Sequence, residues 1–168
     1  VYKRQALDNA GIRSYLQGRR ILVTGAGGSI GREICQQIAA YAPEEMLLLG
    51  HGEQSIYELL ESLKSVGVAV PHIPVILDVA DRRGMEILFR EHRPQVIFHA
   101  AAHKHVPLME SNPREAFRGN ALGTWTVALA QDQEQEDEVR INLVAQDRPV
   151  KEVAAEITEQ SGIEVAVT

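Results

Sequence analysis

The stretch from Arg20 to Gly31, RILVTGAGGSIG, constrains the fold more than any other part of the chain. Ile21, Leu22 and Val23 form an apolar run of strand length, glycines interrupt it, and Ile30, Ile34, Cys35 and Ile38 then recur at helical spacing. Strand, glycine turn and helix in immediate succession open a dinucleotide-binding βα unit. Gly25 permits the sharp turn off the strand, Gly28 lets backbone approach a pyrophosphate, and Gly31 lets the helix lie close to the sheet. Amides at the helix start, aided by the macrodipole, face the anion. An ordinary strand-to-helix turn is the bland alternative, and the flanking apolar pattern weighs against it. The phosphate loop of nucleotide triphosphatases needs Lys and then Ser or Thr after its last glycine, whereas Gly31 is followed by Arg32 and Glu33.

The 168 residues leave room for one ordinary domain and a small appendage. No apolar run approaches the roughly 18 residues that a bilayer crossing needs, and no charged-then-apolar leader opens the sequence. No membrane segment or secretion signal is therefore expected in it. Cys35 is the single cysteine, so no internal disulfide can form; its place on the apolar stripe suggests packing, and a cytoplasmic location fits. The net charge of -6 is unevenly spread: residues 1–131 hold 14 Lys and Arg against 13 Asp and Glu, residues 132–168 hold 3 against 10. The seam lies near Gln131, and neither side is basic enough to suggest nucleic acid as a partner. A first residue of Val1 reads as a piece of a longer product.

Further strands are read at 45–49, 73–77 and 95–99, alternating with helices marked by Ile56, Leu59, Leu60 and Leu63, then by Met85, Leu88 and Phe89, then over about Pro113 to Gln131. Pro74 suggests an edge or strand-start position for the third strand. The pattern predicts an α/β fold: a Rossmann-like parallel sheet over 1–131, with helices on both faces and ligands at the carboxyl ends of the strands. An acidic linker over 132–138 and a small β-α-β unit over 139–168 follow.

The loops at those strand ends hold the candidate chemistry. In NAD-binding folds of this kind a carboxylate about 20 residues past the glycines holds the ribose 2′-OH. That position is Gly50, followed by His51, Gly52 and Glu53. A small residue removes repulsion against a 2′-phosphate, and protonated His51 could pair with one, so the sequence leans towards NADP. The alternative has Gly50 and Gly52 shaping a turn while Glu53 reaches the ribose. Asp78 could accept an adenine amino group with Val79 walling the ring, or cap a helix near Ala80 and Asp81. Ala100, Ala101 and Ala102 leave space for a flat nicotinamide ring. The imidazoles of His99, His103 and His105 invite a zinc reading, but no second ligand cluster accompanies them and His99 ends a buried strand, so no metal is expected. Lys104 could grip a substrate phosphate or move a proton; a solvated loop lysine is the alternative. Asn120 and Thr124, four apart on one helix face, would tie the fourth strand's loop to that helix. Trp125 reads as a packing residue.

These motifs together resemble the polysaccharide-biosynthesis branch of the extended short-chain dehydrogenase/reductases. The resemblance rests on Thr24-Gly25-x-x-Gly28-x-x-Gly31, the run from Leu48 to Tyr57, Asp78-Val79, the run from Ala100 to Glu110 with Asn112-Pro113, and Asn120-x-x-Gly123-Thr124. It points to CapD-like nucleotide-sugar 4,6-dehydratases acting on UDP-N-acetylglucosamine, and covers about residues 10–131. It implies a bound NAD or NADP that takes a hydride from sugar C4, assists loss of water between C5 and C6, and returns the hydride at C6. It also implies pyrophosphate contacts from Gly25, Gly28, Ser29, Ile30 and Gly31, adenine contacts from Asp78 and Val79, nicotinamide contacts from Ala100 to Ala102, and a sugar-nucleotide site around Lys104. A UDP-sugar substrate, homo-oligomers and attachment of the parent to the cytoplasmic face of a membrane belong to the same implication. The family's catalytic Tyr-x-x-x-Lys pair is missing: none of Tyr2, Tyr15, Tyr41 and Tyr57 has Lys four residues on. The chain is therefore expected to turn nothing over alone, and a noncatalytic dinucleotide-binding or assembly module is the competing reading. Residues 139–168 weakly resemble the short N-terminal domain of secretins and TonB-dependent receptors, as a fusion of unrelated fragments would.

Overall fold

The computed structural model describes residues 9–132, 140–143 and 166–167. After α1 (Asn9–Leu16), strands and helices alternate through β1 (Arg20–Thr24), α2 (Ser29–Ala39), β2 (Glu45–Gly50), α3 (Glu53–Ser65), β3 (His72–Ile76), α4 (Arg82–His92) and β4 (Val96–His99). A helical stretch follows: α5 (Val106–Ser111), α6 (Pro113–Ala116), a π-helical segment over Phe117–Leu122, and α7 (Gly123–Asp132). The strands β5 (Arg140–Leu143) and β6 (Ala166–Val167) complete one parallel sheet of order β3-β2-β1-β4-β5-β6.

The apolar runs of β1 and β2 have no polar alternation because both faces of the sheet are covered. Ile21, Val23, Met46, Leu48 and Val96 pack on one face with α2 and α3; Leu22, Leu47, Leu49 and Ile97 pack on the other with α4 and α7. Cys35 is fully buried in the first layer, and burial pushes its thiol up to about 12 against a backbone hydrogen bond that lowers it, so it is a core residue. Pro74 lies on the edge strand β3, as its missing N–H requires.

The order reverses beside β1: the chain moves outward through β2 and β3, then returns to place β4 on the other flank of β1. The crevice at the carboxyl ends of β1 and β4 is thus the switch point where doubly wound sheets take ligands.

Two elements read for 139–168 fall among the described residues, and they extend this sheet rather than standing apart. Arg140–Leu143 pairs with Val96–His99, and Ala166–Val167 pairs with β5. Two short strands alone give a marginal unit, whereas pairing here covers what would be the open edge of β4. Of the linker expected over 132–138, Asp132 instead closes α7 and the rest lies outside the described residues, as does the helix expected around Val150 to Ile157. Trp125 differs from the reading as a packing residue: it is 37% exposed on α7, whose buried side is formed by Val127 and Ala130.

Candidate functional site

The strand ends surround a cleft of about 340 Å³. Its glycine-lined side comes from the β1–α2 turn. Gly25 has φ +64, a left-handed conformation that favours glycine, and a Cβ there would lie 2.7 Å from the Ala100 carbonyl and the Ala101 amide. The turn and the β4 loop are therefore packed backbone against backbone. A Cβ at Gly27 would run into Ser55 of α3. The Gly28 amide donates to the Gly25 carbonyl at 3.0 Å, and Gly28 is the N-cap of α2 with no side chain capping the helix. Side-chain satisfaction of the leading α2 amides is absent at the edge of the cleft.

At the bottom of the switch point lies a polar triad, half-buried at Thr124. Thr24 and His99 are register partners on β1 and β4, and both are buried. Thr124 Oγ1 donates to the Asn120 carbonyl at 2.6 Å, which leaves its lone pairs to accept from His99 Nε2–H at 3.0 Å. His99 Nδ1 is then the acceptor for the Thr24 hydroxyl at 2.6 Å. Complete burial pulls the His99 pKa down to about 4, so the ring is neutral at pH 7.

A second polar belt runs along the cleft rim. The Asn120 side chain accepts from the His103 amide at 2.8 Å and donates to the His103 carbonyl at 2.9 Å, clamping the β4 loop from both sides. The His103 ring lies 3.5 Å from Glu115. Arg118 forks onto Glu115 with two bonds of 3.0 Å and reaches Asp78 at 2.7 Å. Burial acts to raise the Asp78 carboxyl, but the Ala80 amide, Arg118 and His51 together hold it below the ordinary carboxylate value. A hydrogen bond from Arg118 does the same for Glu115, chiefly.

Of the residues singled out in the sequence, Gly25, Gly28, Gly50, His51, Asp78, Val79, Ala100, Ala101, Ala102 and Asn120 line the cleft. Gly31 is buried beneath the turn, where a Cβ would collide with the Gly25 carbonyl. Ser29 and Ile30 begin α2, Glu53 begins α3, and Lys104 is exposed; none of these side chains lines the cleft. The helix cap after β3 is Asp81, whose carboxylate accepts from the Gly84 amide at 3.1 Å; Asp78 instead accepts from Ala80 at 2.9 Å. The zinc reading of the imidazoles finds His99 held between threonines and His103 beside Glu115, and no cluster of metal ligands is present among the described residues.

A sequence-family model for "Polysaccharide biosynthesis protein" matches residues 21–155. The chain belongs to this family. The match runs through the charge seam near Gln131 and beyond residues 10–131, the span of the resemblance in sequence. Capsular polysaccharide biosynthesis protein CapD of Staphylococcus aureus is 51% identical over 123 residues, which are 73% of this chain and 20% of CapD. A UDP-N-acetylglucosamine 4,6-dehydratase (inverting) of Campylobacter jejuni is 30% identical over 66% of this chain and 31% of its own length. The chain thus spans about a fifth of CapD. Among solved structures, a UDP-glucose-4-epimerase of Stenotrophomonas maltophila with bound NAD and formylated UDP-arabinopyranose aligns with TM-score 0.73 at 19% identity, over 89% of this chain and 51% of that one. That likeness shows a shared Rossmann-like fold.

In this polysaccharide biosynthesis chain, sequence reading missed Gly27, Ser55, Glu115 and Arg118 at the cleft. Gly27 carried a signal, as a fourth glycine in the turn. Arg118 and Glu115 carried none, because charged residues in a helix ordinarily mark its solvated face.

Proposed function

We propose that the chain is the dinucleotide-binding part of a nucleotide-sugar dehydratase or epimerase of polysaccharide biosynthesis, with a UDP-N-acetylglucosamine-like substrate belonging to the complete protein. The observation that carries this is the glycine-lined cleft at the switch point, against which α2 presents an N-terminus without a side-chain cap. The residues fit a nicotinamide dinucleotide. Gly25, Gly28 and the amides of Ser29, Ile30 and Gly31 would hold the pyrophosphate, Asp78 and Val79 the adenine, and Ala100 to Ala102 the nicotinamide side. When bound, that group supplies a reversible hydride acceptor for a sugar alcohol. The chain's own residues bind and orient: Asn120 fixes the loop that carries the alanines, and the Thr24–His99–Thr124 triad fixes the strand ends beneath it.

The ribose end favours NADP over NAD in this reading. Gly50 offers no carboxylate to repel a 2′-phosphate, exposed His51 stands beside it, and the Glu53 side chain is off the cleft lining. Lys104, exposed beyond the lining, is assigned to the sugar-nucleotide side. Because no Tyr of this sequence is followed by Lys four residues on, the chain alone is expected to leave UDP-N-acetylglucosamine unchanged. That same observation favours the second reading, a noncatalytic dinucleotide-binding or assembly module.

Calorimetric titration of the chain with NAD and NADP tests the proposal. Saturable binding with tighter NADP is expected; no binding of either would overturn it, and tighter NAD would overturn the ribose argument alone. Incubation with UDP-N-acetylglucosamine and either dinucleotide separates the two readings when repeated with the complete parent protein: turnover only by the parent supports the enzyme, and none by either supports the module.

A further inference from the structure

We infer that the cleft of this chain grips the adenosine-diphosphate half of its ligand and leaves the nicotinamide half in solvent, so that it takes ADP-ribose as readily as NAD. This rests on the dinucleotide reading above and deepens it, by naming the part of the ligand that is held. The groups able to bind are unevenly placed along the cleft. On one side stand the glycine turn, the start of α2 with no side-chain cap, and the side chains of His51, Ser55 and Asp78. Bare amides there suit a diphosphate, and the imidazole, hydroxyl and carboxylate offer donors and acceptors to a nucleoside. The cleft volume of about 340 Å³ lies near the lower end of the roughly 300–1,000 Å³ over which small-ligand sites range, whereas a dinucleotide is two nucleotides long.

Toward the β4 loop the lining changes to Ala100, Ala101 and Ala102, and the polar groups described there bond to one another. The Ala100 amide donates to the Thr24 carbonyl at 3.1 Å. The Ala100 carbonyl and the Ala101 amide press on Gly25, where a Cβ would stand 2.7 Å from both. The Asn120 side chain takes the His103 amide and carbonyl together, at 2.8 and 2.9 Å, and the His103 ring lies 3.5 Å from Glu115. Glu115 in turn accepts two bonds of 3.0 Å from Arg118. These contacts position the loop. A carboxamide reaching them would displace hydrogen bonds within the protein for others of the same kind, an exchange with little net gain. The alanines offer only methyl groups, and Ala102 is exposed, so a ring laid on them stays largely in water. Burial stabilises in proportion to the area covered, and here that area is small. The nicotinamide side is thus lined without being gripped.

The test is calorimetric titration of the full chain with NAD, with ADP-ribose and with nicotinamide mononucleotide. ADP-ribose keeps every group on the gripped side and lacks the pyridinium cation, so it brings more net negative charge to the bare amides of α2. It should bind within about threefold of NAD or more tightly, less than one well-made hydrogen bond to the nicotinamide half would shift the ratio. Nicotinamide mononucleotide at equal concentration should not compete with NAD. NAD tighter than ADP-ribose by more than that margin, or competition by the mononucleotide, would overturn the inference and leave the dinucleotide reading standing. Failure of the chain to bind NAD and ADP-ribose alike would overturn both.

Discussion

His99 ends a strand with each ring nitrogen committed to a threonine, and this gives the switch point a titratable pin. Its folded pKa of about 4 lies below the ordinary 6.5, so as pH falls the unfolded chain takes up the proton first. The stability this contributes is complete above pH 6.5 and is lost as pH falls through about 4, amounting to about 3 kcal/mol across that window. His99→Gln can keep a donor and an acceptor without titrating. Urea unfolding between pH 7 and pH 4 should therefore show a steeper loss for the unmodified chain than for His99→Gln; parallel curves would contradict the assignment. At this scale the sequence was legible where chemistry is backbone chemistry. Gly25, Gly28 and Ala100 to Ala102 line the cleft as their small size suggests. It was less legible for Arg118, whose partner Asp78 is 40 residues away in sequence, and for Lys104, which is exposed and off the cleft lining although its neighbours Ala102 and His103 line it.

The helical run after β4 is where periodicity and structure part. A single helix over about Pro113 to Gln131 was the expectation, and the chain instead widens into a π-helical segment at Phe117–Leu122 before α7. A 3.6-residue pattern cannot show an inserted residue, because the apolar positions on either side each keep their own phase. The helix α5 was unread for a different reason: Val106–Ser111 buries no residue, so no core stripe marks it. The buried runs of β1, β2 and β4 were read to within a residue because both faces of the sheet demand apolar side chains. The π segment's clamp on the β4 loop has a direct consequence. Asn120→Ala removes both bonds to the His103 backbone and should lower stability by about 1 kcal/mol, with faster amide hydrogen exchange concentrated at residues 100–105. Unchanged exchange there would show that the loop is held by other contacts.

For the molecule as a whole, the order β3-β2-β1-β4-β5-β6 places every candidate contact at one end of one sheet. A parallel sheet with its ligand end at the strands' carboxyl termini followed from alternating strands and helices alone; the order of the strands did not. Nor did the membership of β5 and β6, because composition changes near Gln131 while strand pairing depends on which edge is open. The central claim is that the β1–α2 turn receives a diphosphate on bare amides, and Gly28 isolates it. Its φ of -72 and ψ of 168 suit any residue at a helix N-cap, and a Cβ there meets only the Gly25 carbonyl, at 3.2 Å. Aspartate is a favoured N-cap, which works against the tightness of that contact, so Gly28→Asp should leave the chain folded while setting a carboxylate against the incoming anion. Calorimetry on this variant and the unmodified chain is the most direct measurement. The account predicts affinity for NAD and NADP weakened by roughly tenfold or more with the fold intact, and equal affinity in the two proteins would contradict it.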